Sequence, residues 1–324
     1  MIKAIIRLIR LPNLIIIAAT QYLMRYMVIA PFLNINGFEL QLGDFHFAIL
    51  VISTLFIAAA GYTINDYFDT RPDRVNKPES VVIDKEISRH LAINLHTVLN
   101  IIGVALGIYL SFYIKIPALS LLFILTAGML WFYSTNYKRQ FFIGNFIVSL
   151  LIGVVPMIVI LFELPLLNRE YGEIMLKAGA NFNYIFYWIT GFSFFAFFTN
   201  FIREIVKDAE DFEGDSAFGM NTFPVQLGMT LTRILIIFLI VILLVILAFV
   251  LFKYILLSGQ DFDYISGLYF LITIFIPLLF VIFQIAIAKN KRDYHLSSQI
   301  LKLVMLFGVL YSVMVFYMLN FRLN

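Results

Sequence analysis

A chain of 324 residues that is 62% hydrophobic and only 13% charged is not an ordinary soluble domain, in which about 25% of residues carry charge. The composition reads as an integral, multi-pass membrane protein, and its net charge of +3 gives no sign of nucleic-acid binding. With no cysteine, disulfides, thiolate metal sites and cysteine nucleophiles are excluded.

The first ten residues set Lys3, Arg7 and Arg10 at helical spacing, which predicts a short basic amphipathic helix on the membrane surface. A signal peptide is disfavoured, because the next apolar run continues to Leu33 with Arg25 inside it and shows no small-residue cleavage site. Runs near the roughly 20 residues needed to cross the hydrocarbon number nine, at about 12–33, 45–65, 91–113, 117–133, 141–163, 182–202, 228–252, 264–288 and 298–319. Threaded alternately, the N-terminus and the connections after spans two, four, six and eight share one side and hold most of the Lys and Arg. The positive-inside rule therefore places the N-terminus in the cytoplasm. The connection from Glu163 to Asn181 reads as an extramembrane segment on the opposite side, with room for a short helix and no chemistry.

Polar residues inside the third span, Asn94, His96 and Asn100, are expected to hydrogen-bond between helices. Four His without paired ligand spacing do not make a zinc or haem site. The run Phe192-Ser193-Phe194-Phe195-Ala196-Phe197-Phe198 reads as packing, with an aromatic wall for an allylic cation as the alternative.

Two acidic stretches stand out against this background. The second span ends in Asn65-Asp66-Tyr67-Phe68-Asp69-Thr70-Arg71-Pro72-Asp73, and four spans later comes Asp208-Ala209-Glu210-Asp211-Phe212-Glu213-Gly214-Asp215. Both write Asp-x-x-Asp-x-x-x-Asp, a spacing that puts three carboxylates on one side of a helix, or of a helix end broken by Pro72 or Gly214. A lone Asp at a membrane interface is usually just solvated. The repeated spacing, the shared side and the interleaved Arg71, Arg74, Lys77, Arg203 and Lys207 argue for more. Two such sets facing each other would suit a hard divalent cation and, through it, a phosphorylated ligand, with Lys and Arg taking up the remaining negative charge. The same spacing after the second helix of each half hints at a pseudo-repeat of spans one to four and five to eight within a single domain, 1–324.

These two motifs together with nine spans resemble the UbiA superfamily of intramembrane prenyltransferases. The resemblance implies an all-α, nine-helix bundle with a central cavity opening to the cytoplasm and a side opening for a lipid chain. It implies further that Asn65, Asp66, Asp69, Asp73, Asp208, Asp211 and Asp215 bind Mg²⁺ and the diphosphate of a prenyl donor. The segment Tyr133-Ser134-Thr135-Asn136-Tyr137-Lys138-Arg139 resembles the family's stretch after span four, so Tyr133, Lys138 and Arg139 join Lys77 and Lys207 as candidate diphosphate ligands. For Lys138 and Arg139 the alternative is a positive-inside anchor. Arg10-Leu11-Pro12-Asn13 resembles the family's element at the start of span one and places Asn13 near the acceptor, with a helix cap as its alternative role. Where many relatives have a longer Arg-Pro-rich run, this chain reads Asn76-Lys77-Pro78-Glu79-Ser80, so a basic role passes only to Lys77.

The setting of the second motif, from Arg203 to Asp215, resembles the branch that forms lipid ethers by adding geranylgeranyl to geranylgeranylglyceryl phosphate. Aromatic acceptors such as 4-hydroxybenzoate or naphthoate are the alternative, and Arg10, Lys85, Arg89 and His90 are candidates for an acceptor phosphate. A CDP-alcohol phosphotransferase is disfavoured, since its Asp-Gly-x-x-Ala-Arg opening is absent. A transporter would explain nine spans, but its charges belong near the midplane rather than at one end of the helices. The oligomeric state is left open.

Overall fold

The computed structural model describes residues 1–76, 79, 81–256 and 263–321. Lys77 lies outside the described residues, and for Arg71 and Asp73 the backbone alone is described. The chain is all-α, as expected. Among the described residues, nine helices are long and apolar enough to cross a bilayer: Leu11–Ile35, Asp44–Thr70, Arg89–Tyr113, Pro117–Thr135, Ile143–Lys177, Asn183–Glu210, Phe223–Leu256, Tyr264–Ile287 and Lys291–Asn320. Their positions match the predicted runs because each must satisfy its backbone internally over the thickness of the hydrocarbon.

The helix predicted for the first residues is Ile2–Leu8. Its buried residues Ala4 and Leu8 pack on protein, against Val82, Ile83, Ile87 and Ala92, while Arg7 reaches Glu86. The segment after the second span is thereby folded back onto the N-terminus.

Packing divides the chain into two units, one of Met1–Lys138, Val154–Ser193 and Leu319–Asn324, the other of Arg139–Gly153 and Phe194–Met318. In the first, the third and fourth spans close on Gly107, where a Cβ would fall 2.2 Å from the Phe123 ring. His96 sits between helices as predicted, with Nδ1 2.9 Å from the Ala60 carbonyl of the second span, whereas Asn100 Nδ2 meets His96 Nε2 at 3.3 Å within the third span itself and Asn94 is exposed. The second unit has a core that includes Ile202, Val206, Ile236, Ile240, Leu278, Val281 and Leu301. In the Phe-rich run, Phe195 lies so close to Gly308 that a Cβ there would fall 1.9 Å from its ring, which supports the packing role.

The connection after the fifth span departs from expectation. The helix Ile143–Lys177 continues through Pro165, so Glu163 lies inside that helix and not in a loop that follows it. A proline inside a helix removes one hydrogen bond and kinks the backbone, but here Glu163 anchors the helix in the first unit. Fully buried, it accepts from the Gln41 and Leu42 amides, the latter at 3.1 Å, and from Arg25 at 3.0 Å. Arg25, 1% exposed in a π-helical turn at Met24–Ile29, also donates to the Leu42 carbonyl and to Asp44 at 3.1 Å. The arginine inside the first span thus ties three spans together. Removing one member of a buried pair strands the other, at about 3–5 kcal/mol. Arg25→Ala and Glu163→Ala should each lower the thermal unfolding temperature in detergent sharply, and a wild-type melt for either would contradict the clamp.

Candidate active site

The first motif lies on one helix. Asp44–Asn76 runs through Pro72, so Pro72 does not break it, and Asp66, Asp69 and Asp73 occupy the i, i+3 and i+7 positions of a single face. Thr70 turns its hydroxyl back onto the Asp66 and Tyr67 carbonyls, 3.1 Å from each. The carboxylates are met by cations from two other parts of the first unit. Arg10 lies 2.7 Å from Asp66 and its guanidinium sits 5.1 Å over the Tyr62 ring. Lys138 Nζ contacts Asp69, which is 5% exposed. Burial works against the charge on Arg10, but Asp66, Tyr62 and Asp69 outweigh it and hold the guanidinium above its ordinary pKa.

Arg10 adopts a left-handed backbone, φ 53°, at the N-cap of the first span. Asn13 is therefore in the first turn of that helix rather than at its cap, and it is half-buried. Tyr133, half-buried, ends the fourth span's face one turn before the 3₁₀ turn Tyr137–Arg139 that carries Lys138. Arg139 is exposed, and its carbonyl accepts from the Asn221 amide at 2.9 Å.

Beside the first motif, Arg74 and Arg89 converge on Asp84 at 3.5 and 3.2 Å, and Arg89 lies 5.2 Å from the Tyr67 ring centroid. Lys85 and His90 are exposed. Of Arg10, Lys85, Arg89 and His90, Arg10 lies directly against a motif carboxylate, Asp66.

The second motif is interrupted. The helix Asn183–Glu210 ends one residue before Asp211, and a short helix, Phe212–Ala217, begins one residue after it. The break therefore falls on Asp211 and not on Gly214, which is buried inside the short helix. Asp208 belongs to the last turn of the long helix, and Asp215, 7% exposed, to the short one, its amide donating to the Asp211 carbonyl at 3.0 Å. Three carboxylates spaced for one helical face are thus distributed over two helices and the bend between them. Lys291 lies 3.8 Å from Asp211, and Lys207 and Arg203 lie 3.2 and 2.9 Å from Glu204.

Asp208 is held by a residue that the sequence did not single out. Asn145 Nδ2 donates to Asp208 Oδ2 at 2.8 Å, while the Asn145 carbonyl accepts from Ser149 Oγ at 2.6 Å, and Ser149 Oγ in turn accepts from Asn200 Nδ2 at 3.1 Å. This polar ladder joins the fifth and sixth spans inside the second unit. Its signal in the sequence was one Asn in an apolar run. Asn145→Ala should lower turnover about tenfold by freeing one Asp208 oxygen from its hydrogen bond, with Asn145→Ser recovering part of it. Equal rates for wild type and alanine would show that the bond does not matter.

Among the described residues no group of three or more His, Asp or Glu side chains forms a ready metal cage. Magnesium does not require one, since it binds through one or two carboxylates together with water and substrate phosphate oxygens. The donor set fits it: hard oxygens only, on carboxylates whose charge is matched by Arg10 and Lys138, and a buried Asn65 Oδ1 that accepts no hydrogen bond from the described residues.

Among the described residues, nine helices long and apolar enough to cross a bilayer make this a multi-pass membrane protein. The chain belongs to the UbiA prenyltransferase family, which matches residues 37–306, and it is a prenyltransferase. It is 30% identical to digeranylgeranylglyceryl phosphate synthase of Sulfurisphaera tokodaii over 90% of this chain and 92% of that one. To the same synthase of Saccharolobus solfataricus it is 31% identical, over 74% and 75% of the two chains. Solved structures share the fold: one of a digeranylgeranylglyceryl phosphate synthase in membranes has a TM-score of 0.61 at 23% identity, covering 97% of this chain and 99% of that one. A UbiA homologue from Archaeoglobus fulgidus bound to GPP and Mg²⁺ has a TM-score of 0.56 at 15% identity, covering 96% and 99%.

Proposed function

We propose that the protein transfers a geranylgeranyl group from geranylgeranyl diphosphate to the free hydroxyl of geranylgeranylglyceryl phosphate, in the synthesis of ether membrane lipids. The allylic C–O bond to diphosphate breaks, a C–O ether bond forms to the glycerol oxygen, and the hydroxyl proton and inorganic diphosphate depart. The observation that carries this conclusion is the 30% identity to a digeranylgeranylglyceryl phosphate synthase along nearly the full length of both chains.

In this reading Asn65, Asp66, Asp69 and Asp73 of the first motif and Asp208, Asp211 and Asp215 of the second hold Mg²⁺, and each motif is required for donor binding. Magnesium, when bound, supplies charge neutralisation for the departing diphosphate. Lys138 is the first of the diphosphate donors, joined by Lys77, Tyr133, Arg139 and Lys207. Such preplaced cations favour leaving-group charge that develops only in the transition state. Asn13 stands with Arg10 at the start of the first span and contacts the acceptor. Apolar walls keep water from the allylic cation. The distribution of Lys and Arg supports placing the N-terminus and both motifs on the cytoplasmic side.

The test supplies purified protein with Mg²⁺ and geranylgeranyl diphosphate, adding geranylgeranylglyceryl phosphate in one reaction and 4-hydroxybenzoate in another. Ether product with the lipid acceptor is expected. Product with the aromatic ring alone would move the protein to quinone synthesis, and flux of substrate across vesicles without product would favour transport.

A further inference from the structure

The first unit contains a groove of about 360 Å³ between the N-terminal helix and the first three spans, within the size range of small-ligand sites. Every side chain lining it is apolar, among them Ile9, Leu14, Ala18, Phe56, Ala59 and Leu99. Two observations relate it to the first motif. Leu55 and Ala59 line the groove, and Tyr62 and Asp66 continue the same face of the second span at helical spacing, so that helix leads from the groove to the first motif. Ile9 and Leu11 also line it. The residue between them, Arg10, places its guanidinium 2.7 Å from Asp66 from a left-handed backbone, φ 53°, a conformation disfavoured for any residue with a side chain. Strain of this kind persists where the surroundings over-determine it and is concentrated at functional sites.

An apolar groove with an arginine set between two of its lining residues, Ile9 and Leu11, fits an amphiphile with an anionic head. A guanidinium carries five N–H donors in a planar fork suited to phosphate, and the contact to Asp66 engages one terminal nitrogen. We propose that the groove holds the hydrocarbon chain of the acceptor lipid and that Arg10 receives its phosphate, which sets the acceptor head beside the first motif. The donor differs in needing metal and both motifs for its diphosphate. This proposal rests on the lipid-acceptor reading above.

Groove-filling substitutions on two different helices, Ala18→Phe and Leu99→Trp, with Ala18→Leu as a milder variant, separate the two. KM is measured for geranylgeranylglyceryl phosphate, for its shorter geranyl analogue and for geranylgeranyl diphosphate, with thermal unfolding followed in parallel. Either variant should raise KM for the long-chain acceptor about tenfold, raise it less for the geranyl analogue, and leave the donor KM and the melt unchanged. A rise in donor KM would assign the groove to the donor chain. Unchanged values for both substrates in correctly folded variants would mean that bulk lipid fills it. Wild-type failure to use geranylgeranylglyceryl phosphate would overturn the acceptor reading itself, whereas normal wild-type turnover with indifferent variants would overturn the groove alone.

Discussion

Alanine at Asp69 or Asp211 is expected to abolish prenyl transfer, by roughly 10²–10³-fold or more, while the protein still inserts and folds. Each substitution removes a charge that has no packing to replace. Asp69 is nearly buried, but what it faces is the Lys138 ammonium, so alanine leaves a lysine whose side chain is 31% exposed and can turn to water. Asp211 stands in the bend between two helices and takes part in neither helix's interior. Asp69→Asn keeps the shape of the side chain and removes its charge, so it should be nearly as inactive as alanine if charge is what matters. Turnover is compared with size-exclusion profile and helicity for each variant. Near-normal rates in a folded Asp69→Ala or Asp211→Ala protein would contradict the assignment.

Lys138→Met is expected to reduce kcat/KM for the prenyl diphosphate about 10–100-fold, the size of one lost charge-assisted hydrogen bond, with Lys138→Arg keeping part of the rate. The ammonium is carried on a 3₁₀ turn directly after the fourth span and is committed to Asp69. In the proposed reading, Lys138 would serve the leaving diphosphate, and Asp69 would be among the residues that hold Mg²⁺, whose charge neutralisation assists the same departure. The two residues then act as a unit, and the double variant Asp69→Asn/Lys138→Met should lose less than the sum of the single losses. If Lys138 were only a membrane anchor, Lys138→Met would alter topology and leave kcat/KM untouched.

The spans were legible because the bilayer imposes a length and a polarity that no short-range detail overrides. The first motif was legible for a related reason: Asp66, Asp69 and Asp73 are spaced for a helix, and the helix is there. Helix ends were not. Pro72 and Pro165 look like terminators, yet both helices continue through them, because a long helix held by its neighbours tolerates one missing hydrogen bond. The second motif failed in the opposite sense, since its helical spacing spans a break at Asp211. Partners far apart along the chain left no local trace. Arg25 and Glu163 are separated by 138 positions, and in the sequence one is a lone charge inside a span and the other the start of a connection, while Asn145 reads as one polar residue in an apolar run until the fold brings it to Asp208.

The most direct measurement is binding of geranylgeranyl diphosphate to the purified protein, with Mg²⁺ and with the metal chelated. It is made for wild type, for Asp66→Asn/Asp69→Asn and for Asp208→Asn/Asp211→Asn. If both motifs serve the same metal-bound diphosphate, wild type binds only with Mg²⁺, and either pair of substitutions removes that binding as completely as the other. Metal-independent binding in wild type, or full Mg²⁺-dependent binding after loss of either motif, would contradict the account.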